Sequence, residues 1–472
     1  MKMKRFLALA LSLCMILSVA LQGGIVRAVE TDYEDLSFEK LDGVDVDLTR
    51  NDLSMELEQL DVDPAEAVKV IIVMESESVI EADPNAVVSE ETQKKTEKLL
   101  EEQAQVIKEI ENQVLDGYGM DVNYNYTWLL NGIAAEVPYG TLAKIASVPG
   151  VKQVLLQPVY EVCRTEAAAP LTNADGITIG RENTWAQGYT GEGMKIAIID
   201  TGIDVDHQNF AALPDDKLTD TSANADTISA VLEQLNASDR MPSVAVEDLY
   251  YNSKVVYGFN YCDNNLNIGH DMDSMGDHGT HVAGIAAANK VVGSDVVGVA
   301  PDAQLYVMKV FGYNGGAYPQ DILAALEDAL ILGADVVNMS LGTPAGFTSN
   351  TDEINAIYNR VAETNTVLSV SAGNNYTSGY ANNWGTDANL TENPDNGVVG
   401  YPGSYVNTLT VGSLENWQVQ RNYIDANGYH IIYNDSGYAY YHHDLVTLTG
   451  EYSLVDCGTG TVEEFEGLGL TG

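Results

Sequence analysis

Basic residues are scarce in this chain. Its 472 residues hold 23 Lys and Arg against 69 Asp and Glu, a formal net charge of -46. A phosphate-rich partner needs clustered cations, so nucleic acid and anionic membrane surfaces are excluded as ligands. The charge itself describes a well-solvated surface. Cysteine is scarcer still, with only Cys14, Cys163, Cys262 and Cys457, far apart and without a Cys-x-x-Cys pair. They suggest neither a disulfide framework nor a thiolate zinc site. With 45% hydrophobic and 19% charged residues the composition is that of a globular protein. The length suits about two to four domains.

Long apolar runs are also missing after the first two dozen residues. Lys2, Lys4 and Arg5 precede the uncharged run Phe6 to Leu21, and Val26-Arg27-Ala28 forms a small-x-small site. That order predicts a signal peptide over 1–28, cut after Ala28. The run is short for a membrane span and has no stop-transfer flank, and Leu13 is too large for a lipoprotein site at Cys14. The expectation is a secreted, extracellular protein with no membrane insertion after signal removal. Residues 29–66 are acidic and without periodicity, and read as a mobile leader.

Order is expected to begin in a domain spanning 67–162. Val68 to Met74 is an apolar strand, and Glu90 to Leu115 carries Leu100, Ala104, Ile107 and Val114 at helical spacing, flanked by Leu99 and Ile110. Strands near Val122 to Leu129 and Ile133 to Val137 follow, then a helix from Tyr139 to Ser147 and a strand from Val151 to Val159. The order β-α-β-β-α-β predicts a ferredoxin-like α+β sheet with two helices on one face. It fixes no function by itself. Residues 163–182, with Ala167-Ala168-Ala169, read as an exposed linker and processing region.

Over 183–413 the pattern becomes apolar strands alternating with helices. Strands are predicted at Lys195 to Ile199, Lys254 to Tyr257, Leu305 to Phe311, Val336 to Met339, Val367 to Val370 and Leu409 to Val411. Helices are predicted near His278 to Ala288, Pro319 to Leu332 and Thr351 to Glu363. Nearly continuous apolar strands joined by helices mean an α/β fold whose parallel sheet is covered on both faces. Ligands of such folds sit beyond the carboxyl ends of the strands.

Three segments there can carry chemistry. Asp200 closes a strand and opens the turn Thr201-Gly202-Ile203-Asp204; a carboxylate so placed can accept an imidazole N–H, or can simply end the strand. His278, in Asp277-His278-Gly279-Thr280-His281-Val282-Ala283-Gly284, starts a helix and can serve as a general base. His281, one turn on, is expected to point into the core. The His-x-x-His pair could also suggest metal, but no Glu follows His278 as a zincin would require. Asn374, in Ser371-Ala372-Gly373-Asn374-Asn375, can donate an amide to an oxyanion, or can be a plain Asn-Asn turn. Asn338-Met339-Ser340-Leu341-Gly342 ends another strand with an extended edge able to pair with a peptide.

Together with Gly298-Val299-Ala300-Pro301 these segments resemble the signatures of the subtilisin-like serine peptidases, in the family's order. The layout is most similar to lactocepin-like cell-envelope proteinases. The resemblance implies a secreted serine endopeptidase acting on proteins or peptides through an Asp-His-Ser triad. It makes Asp200 the orienting carboxylate, His278 the base and Asn374 the oxyanion donor. Ser340, Leu341, Gly342, Ser371, Ala372 and Gly373 would flank the substrate. Asn131 to Val137 and the strand ending near Val162 resemble the family's inhibitory propeptide, so the chain's own N-terminal domain is an expected intramolecular inhibitor. No cofactor serves the chemistry and no catalytic metal is expected. Structural calcium fits the family, but acidity this widespread singles out no site.

Two departures stand out. Ala211 to Leu249 lengthens the interval between Asp200 and His278 and is expected to be a surface insertion at the cleft rim. The family's Gly-Thr-Ser-Met-Ala segment, which carries the nucleophile, occurs nowhere in the sequence. Residues 414–472 instead look like the start of a protease-associated β-rich insert domain, with strands at Tyr429 to Tyr433 and Leu445 to Leu448, so a C-terminally truncated fragment is expected. Cell-wall attachment would depend on sequence beyond it. Two alternatives stand beside this reading: an inactive product acting only as an inhibitory or binding module, and an aspartic peptidase pairing Asp200 with Asp435.

Overall fold

The computed structural model describes residues 63–157, 159–162, 176–269, 276–292, 294, 296–312, 315–343, 353–374, 399–405, 407–414, 422–426 and 429–433. The expected signal peptide, nearly all of the acidic leader, most of the processing region, Asp435 and the strand at Leu445 to Leu448 lie outside the described residues. All described elements belong to one compact unit, Leu60–Gly472.

The first layer is a four-stranded antiparallel sheet. Its strands are β1 (Ala67–Met74), β2 (Asp121–Tyr126), β3 (Gly132–Pro138) and β4 (Val151–Leu156), in the order β2-β3-β1-β4. Helix α1 (Glu90–Gln113) joins β1 to β2, and the short α2 (Leu142–Ile145) joins β3 to β4. This is the β-α-β-β-α-β order expected. Val70 to Met74 are buried because β1 lies at the centre of the sheet. Ser89 caps α1, exchanging hydrogen bonds with Thr92.

The phase of α1 differs from the expected one. Its buried residues are Leu99, Gln103, Val106 and Ile110, whereas Ala104 is exposed. Gln103 sits inside because its amide donates to the Tyr126 carbonyl (2.7 Å) and to Asn131 Oδ1 (2.9 Å), while its oxygen accepts from Asn125 Nδ2 (2.9 Å). A fully hydrogen-bonded polar side chain can occupy a core position that a purely apolar reading skips.

The second layer is a six-stranded sheet of β6 (Lys195–Asp200), β7 (Val255–Asn260), β8 (Gln304–Lys309), β9 (Val336–Met339), β11 (Val367–Ser371) and β12 (Leu409–Val411). The order is β12-β11-β9-β6-β8-β7 and every pairing is parallel, bearing out the α/β fold class. Helices α3 (His278–Ala287), α4 (Pro319–Ile331) and α5 (Glu353–Glu363) form its crossovers. The chain fills one side of β6 with β7 and β8 before crossing to the other with β9, β11 and β12. The carboxyl end of β6 is therefore the switch point where such sheets hold ligands. Beyond β12, β13 (Asn422–Ala426) and β14 (Tyr429–Tyr433) form an antiparallel hairpin.

The segment 211–249 is not a surface appendage. Ile228, Leu235, Ala237 and Leu249 are fully buried and belong to the same core as β7, β8 and α4. Asp328 on α4 accepts the Asn236 N–H (2.7 Å) and the Ala237 N–H (3.1 Å). Arg240 reaches across to the first layer, with its guanidinium 4.9 Å from the Tyr124 ring centre. The segment expected as a surface insertion thus forms part of the joint between the two layers.

That joint also covers the outer side of α4, whose Gln320, Asp321, Glu327 and Asp328 are all buried. Glu327 Oε1 accepts the backbone N–H groups of Trp128 (2.8 Å) and Leu129 (2.7 Å) in the loop between β2 and β3. Its Oε2 accepts from Asn236 Nδ2 (3.2 Å). The hydroxyl of Tyr126 donates to the Gln320 carbonyl (2.8 Å), and that of Tyr124 lies 3.1 Å from Asp321 Oδ1. Burial pushes the carboxyls of Asp321, Glu327 and Asp328 up to about 7.

Candidate active site

The site grows from the end of β6. Parallel pairing matches Ile199 with Met339, and Met339 in turn with Val370. The residues that follow these positions, Asp200, Ser340 and Ser371, therefore emerge side by side at the carboxyl edge of the sheet.

Asp200 is fully buried, and its Oδ1 accepts the Thr201 N–H at 2.7 Å. His278 Nδ1 lies 2.7 Å from the same oxygen, on an imidazole only 13% exposed. The contact needs α3 to start close against the turn after β6, and two threonines stitch these segments together. Thr201 Oγ1 accepts the Gly279 N–H (2.8 Å), and Thr280 Oγ1 accepts the Asp204 N–H (2.9 Å). Gly202 has φ +98°, and a Cβ there would fall on the Ile268 carbonyl oxygen. A Cβ on Gly279 would fall on the Gly202 carbonyl oxygen and lie 3.2 Å from Asp200 Oδ1. Glycine is required at both positions by the approach of helix to turn.

His281 does not point into the core as expected; it is exposed. Gly279, Ala283 and Ala287 are the buried residues of α3, and a residue two positions beyond Gly279 falls on another side of the helix. Among the described residues no group of three or more His, Cys, Asp or Glu converges as a metal site.

The edge beyond β9 carries an extended partner. Leu341–Gly342 (β10) pairs antiparallel with Glu161–Val162 (β5), Leu341 opposite Val162 and Gly342 opposite Glu161. On the other side of that segment, Tyr160 and Ala317 exchange backbone hydrogen bonds, Tyr160 N–H to Ala317 C=O at 2.7 Å and the reverse at 2.9 Å. The segment from the first layer is thus held between two backbones. The Tyr160 side chain is fully buried, its ring centre 5.5 Å from that of Tyr401 in an edge-on contact. Burial raises its phenol well above the ordinary range, with Tyr358, Tyr405 and Tyr401 adding to the effect.

Ser371 to Gly373 is arranged differently. Ala372 donates its N–H to the Val411 carbonyl (2.8 Å), and its own carbonyl accepts the Gly400 N–H (2.9 Å), so its backbone is already paired. Asn374 follows, exposed, past the end of β11. Sequence reasoning missed the two threonine hydroxyls and the loop ending at Ile268, whose carbonyl accepts the Ile203 N–H at 2.7 Å. Only the Asp-Thr-Gly and Gly-Thr pairings hinted at the threonines.

The Asp200–His278 pair thus lies at the carboxyl edge of a parallel α/β sheet, beside a strand already paired with an extended segment. The chain belongs to the Subtilase family, Peptidase_S8, whose profile matches residues 191–464. It is 35% identical over 340 residues to the PI-type proteinase of Lactococcus lactis subsp. cremoris, covering 70% of this chain and 16% of that protein. The minor extracellular protease Vpr of Bacillus subtilis (strain 168) is 26% identical over 371 residues, 74% of this chain and 37% of its own. Among solved structures, fervidolysin from Fervidobacterium pennivorans, a keratinolytic enzyme related to subtilisin, matches 79% of this chain and 46% of its own. Its sequence identity is 16% and its TM-score 0.44. The family and the parallel sheet together remove the aspartic-peptidase alternative. The chain spans only 16% of the length of the PI-type proteinase.

Proposed function

We propose that this chain contributes the carboxylate and the base of a secreted serine endopeptidase, with its first layer acting as an intramolecular inhibitor. The observation that carries the reading is the 2.7 Å contact between His278 Nδ1 and the fully buried Asp200. The carboxylate fixes the tautomer with the proton on Nδ1, so that Nε2 can take a proton from a serine hydroxyl and return it to the leaving amine. Asn374, past β11, is the oxyanion donor in this reading, a role whose loss costs about a hundredfold or more in rate. Leu341 and Gly342 bind the substrate backbone, and β5 holds the place a substrate would take. Calcium is assigned to no residues.

In this reading the nucleophile is supplied from outside these 472 residues, among which no Gly-Thr-Ser-Met-Ala segment occurs. The test begins with the coding sequence beyond codon 472. A frame that continues into Gly-Thr-Ser should give a product that hydrolyses casein and reacts with a serine-directed phosphonate. Asp200→Asn in that product should lower kcat by about ten-thousandfold. A stop codon there would leave the inhibitory-module reading. Phosphonate labelling of the 472-residue chain itself would show that a nucleophile is present and overturn the assignment.

A further inference from the structure

Two lysines are buried at opposite ends of the parallel sheet. Lys254, just ahead of β7, is fully buried, and its Nζ donates to the carbonyls of Pro301 (2.8 Å) and Ala303 (2.6 Å) at the amino end. Lys309 closes β8 at the carboxyl end, 1% exposed, and its Nζ donates to the carbonyls of Thr201 (2.6 Å) and Gly269 (2.9 Å). An ammonium taken out of water costs several kcal/mol unless its donors are met, and at each lysine these carbonyls meet two of them.

The two carbonyls that Lys309 takes lie on the segments framing the Asp200–His278 pair. β6 and β8 pair in register with Asp200 beside Lys309, and the Val310 N–H donates to the Asp200 carbonyl at 2.9 Å. Thr201 follows Asp200, and its hydroxyl holds the N–H of Gly279, the neighbour of His278. Gly269 follows Ile268, whose carbonyl accepts the Ile203 N–H. The lysine stem runs along this turn, since a Cβ on Gly202 would lie 3.2 Å from Lys309 Cδ. Two facing carbonyls need a donor with no acceptor of its own, and among side chains of this reach an ammonium meets that need.

We propose that Lys309 is a positioning residue, its ammonium clamping Thr201 to the 268–269 segment and so fixing the turn that aims Asp200 Oδ1 at His278 Nδ1. The inference rests on the reading of that pair as catalytic carboxylate and base. Lys254, tied to the 301–303 loop at the other end of the sheet, is the natural control.

The experiment uses the full 472-residue chain and the low-field proton resonance of the His278 Nδ1–H, assigned by its loss in His278→Ala. Lys309→Met and Lys254→Met should both lower the melting temperature, since each removes two hydrogen bonds that a buried ammonium donates to backbone carbonyls. Only Lys309→Met should shift the resonance upfield or abolish it. A resonance present in the unaltered chain and unmoved in folded Lys309→Met would overturn the role of Lys309 alone. Its absence from the unaltered chain would overturn both this inference and the function proposed. If Lys309→Met does not fold, Lys309→Gln carries the test, because its amide still donates to one carbonyl. The resonance should move by more than its linewidth, and an unmoved one refutes the proposal.

Discussion

Truncating Glu327 to alanine should loosen the first layer from α4, and the size of the effect follows from what the carboxylate holds. Its Oε1 accepts two buried backbone N–H groups, from Trp128 and Leu129, and its Oε2 accepts from Asn236 on the 236–240 turn. Each buried donor left unmet costs about 1–3 kcal/mol. Removing a desolvated charge gives part of this back. The net expectation is about 3 kcal/mol, or about a hundredfold in the opening equilibrium at 25 °C. Glu327→Gln keeps the Oε1 acceptor but sets an amide N–H2 against Asn236 Nδ2, so about 1 kcal/mol is expected. Hydrogen exchange at the Trp128 and Leu129 amides reads the effect directly. Ile72 in the centre of β1 is the internal reference, buried within the first layer itself. A change of less than about threefold at Trp128 and Leu129 in Glu327→Ala would refute the claim that this carboxylate fastens the layers.

Two further predictions concern the titration of this joint and the aromatic packing beside β5. Burial raises Asp321, Glu327 and Asp328 from carboxylate values to about 7, so their contribution is complete below about pH 4 and is lost as pH rises through about 7. Protection at Trp128 and Leu129, corrected for intrinsic exchange rates, should therefore be greater at pH 5 than at pH 8; the opposite order would contradict the burial argument. Tyr160→Ala empties a fully buried aromatic site packed against Tyr401 and should cost about 3–5 kcal/mol of the clamp on β5. Exchange at the Ala317 amide, which donates to the Tyr160 carbonyl, should rise by about a hundredfold or more, and unchanged protection there would refute it.

The sequence alone located the strand ends that carry Asp200, Ser340 and Ser371, because strands buried on both faces leave near-continuous apolar runs with sharp polar ends. It also determined the order of the first layer, since the apolar strand at Val68 to Met74 and the helical spacing from Glu90 to Leu115 are set by neighbours in sequence. It fixed the type of residue at the site, because an Asp-Thr-Gly turn and a His-Gly helix start need little beyond their neighbours in sequence. What lies far apart in the chain was not legible. The polar residues Asp321, Glu327 and Asp328 of α4 are buried, and the docking of β2, its following loop and the 236–240 turn is what takes them out of water. Gln103 stood outside the apolar stripe expected for α1, and it is buried because Tyr126 and Asn131 supply its partners. Lys309 lies inside the strand predicted from Leu305 to Phe311, and its two carbonyls come from residues 108 and 40 positions away. Local patterns record which groups prefer to be buried; which buried polar groups find partners is decided only when the distant backbones that satisfy them are brought together.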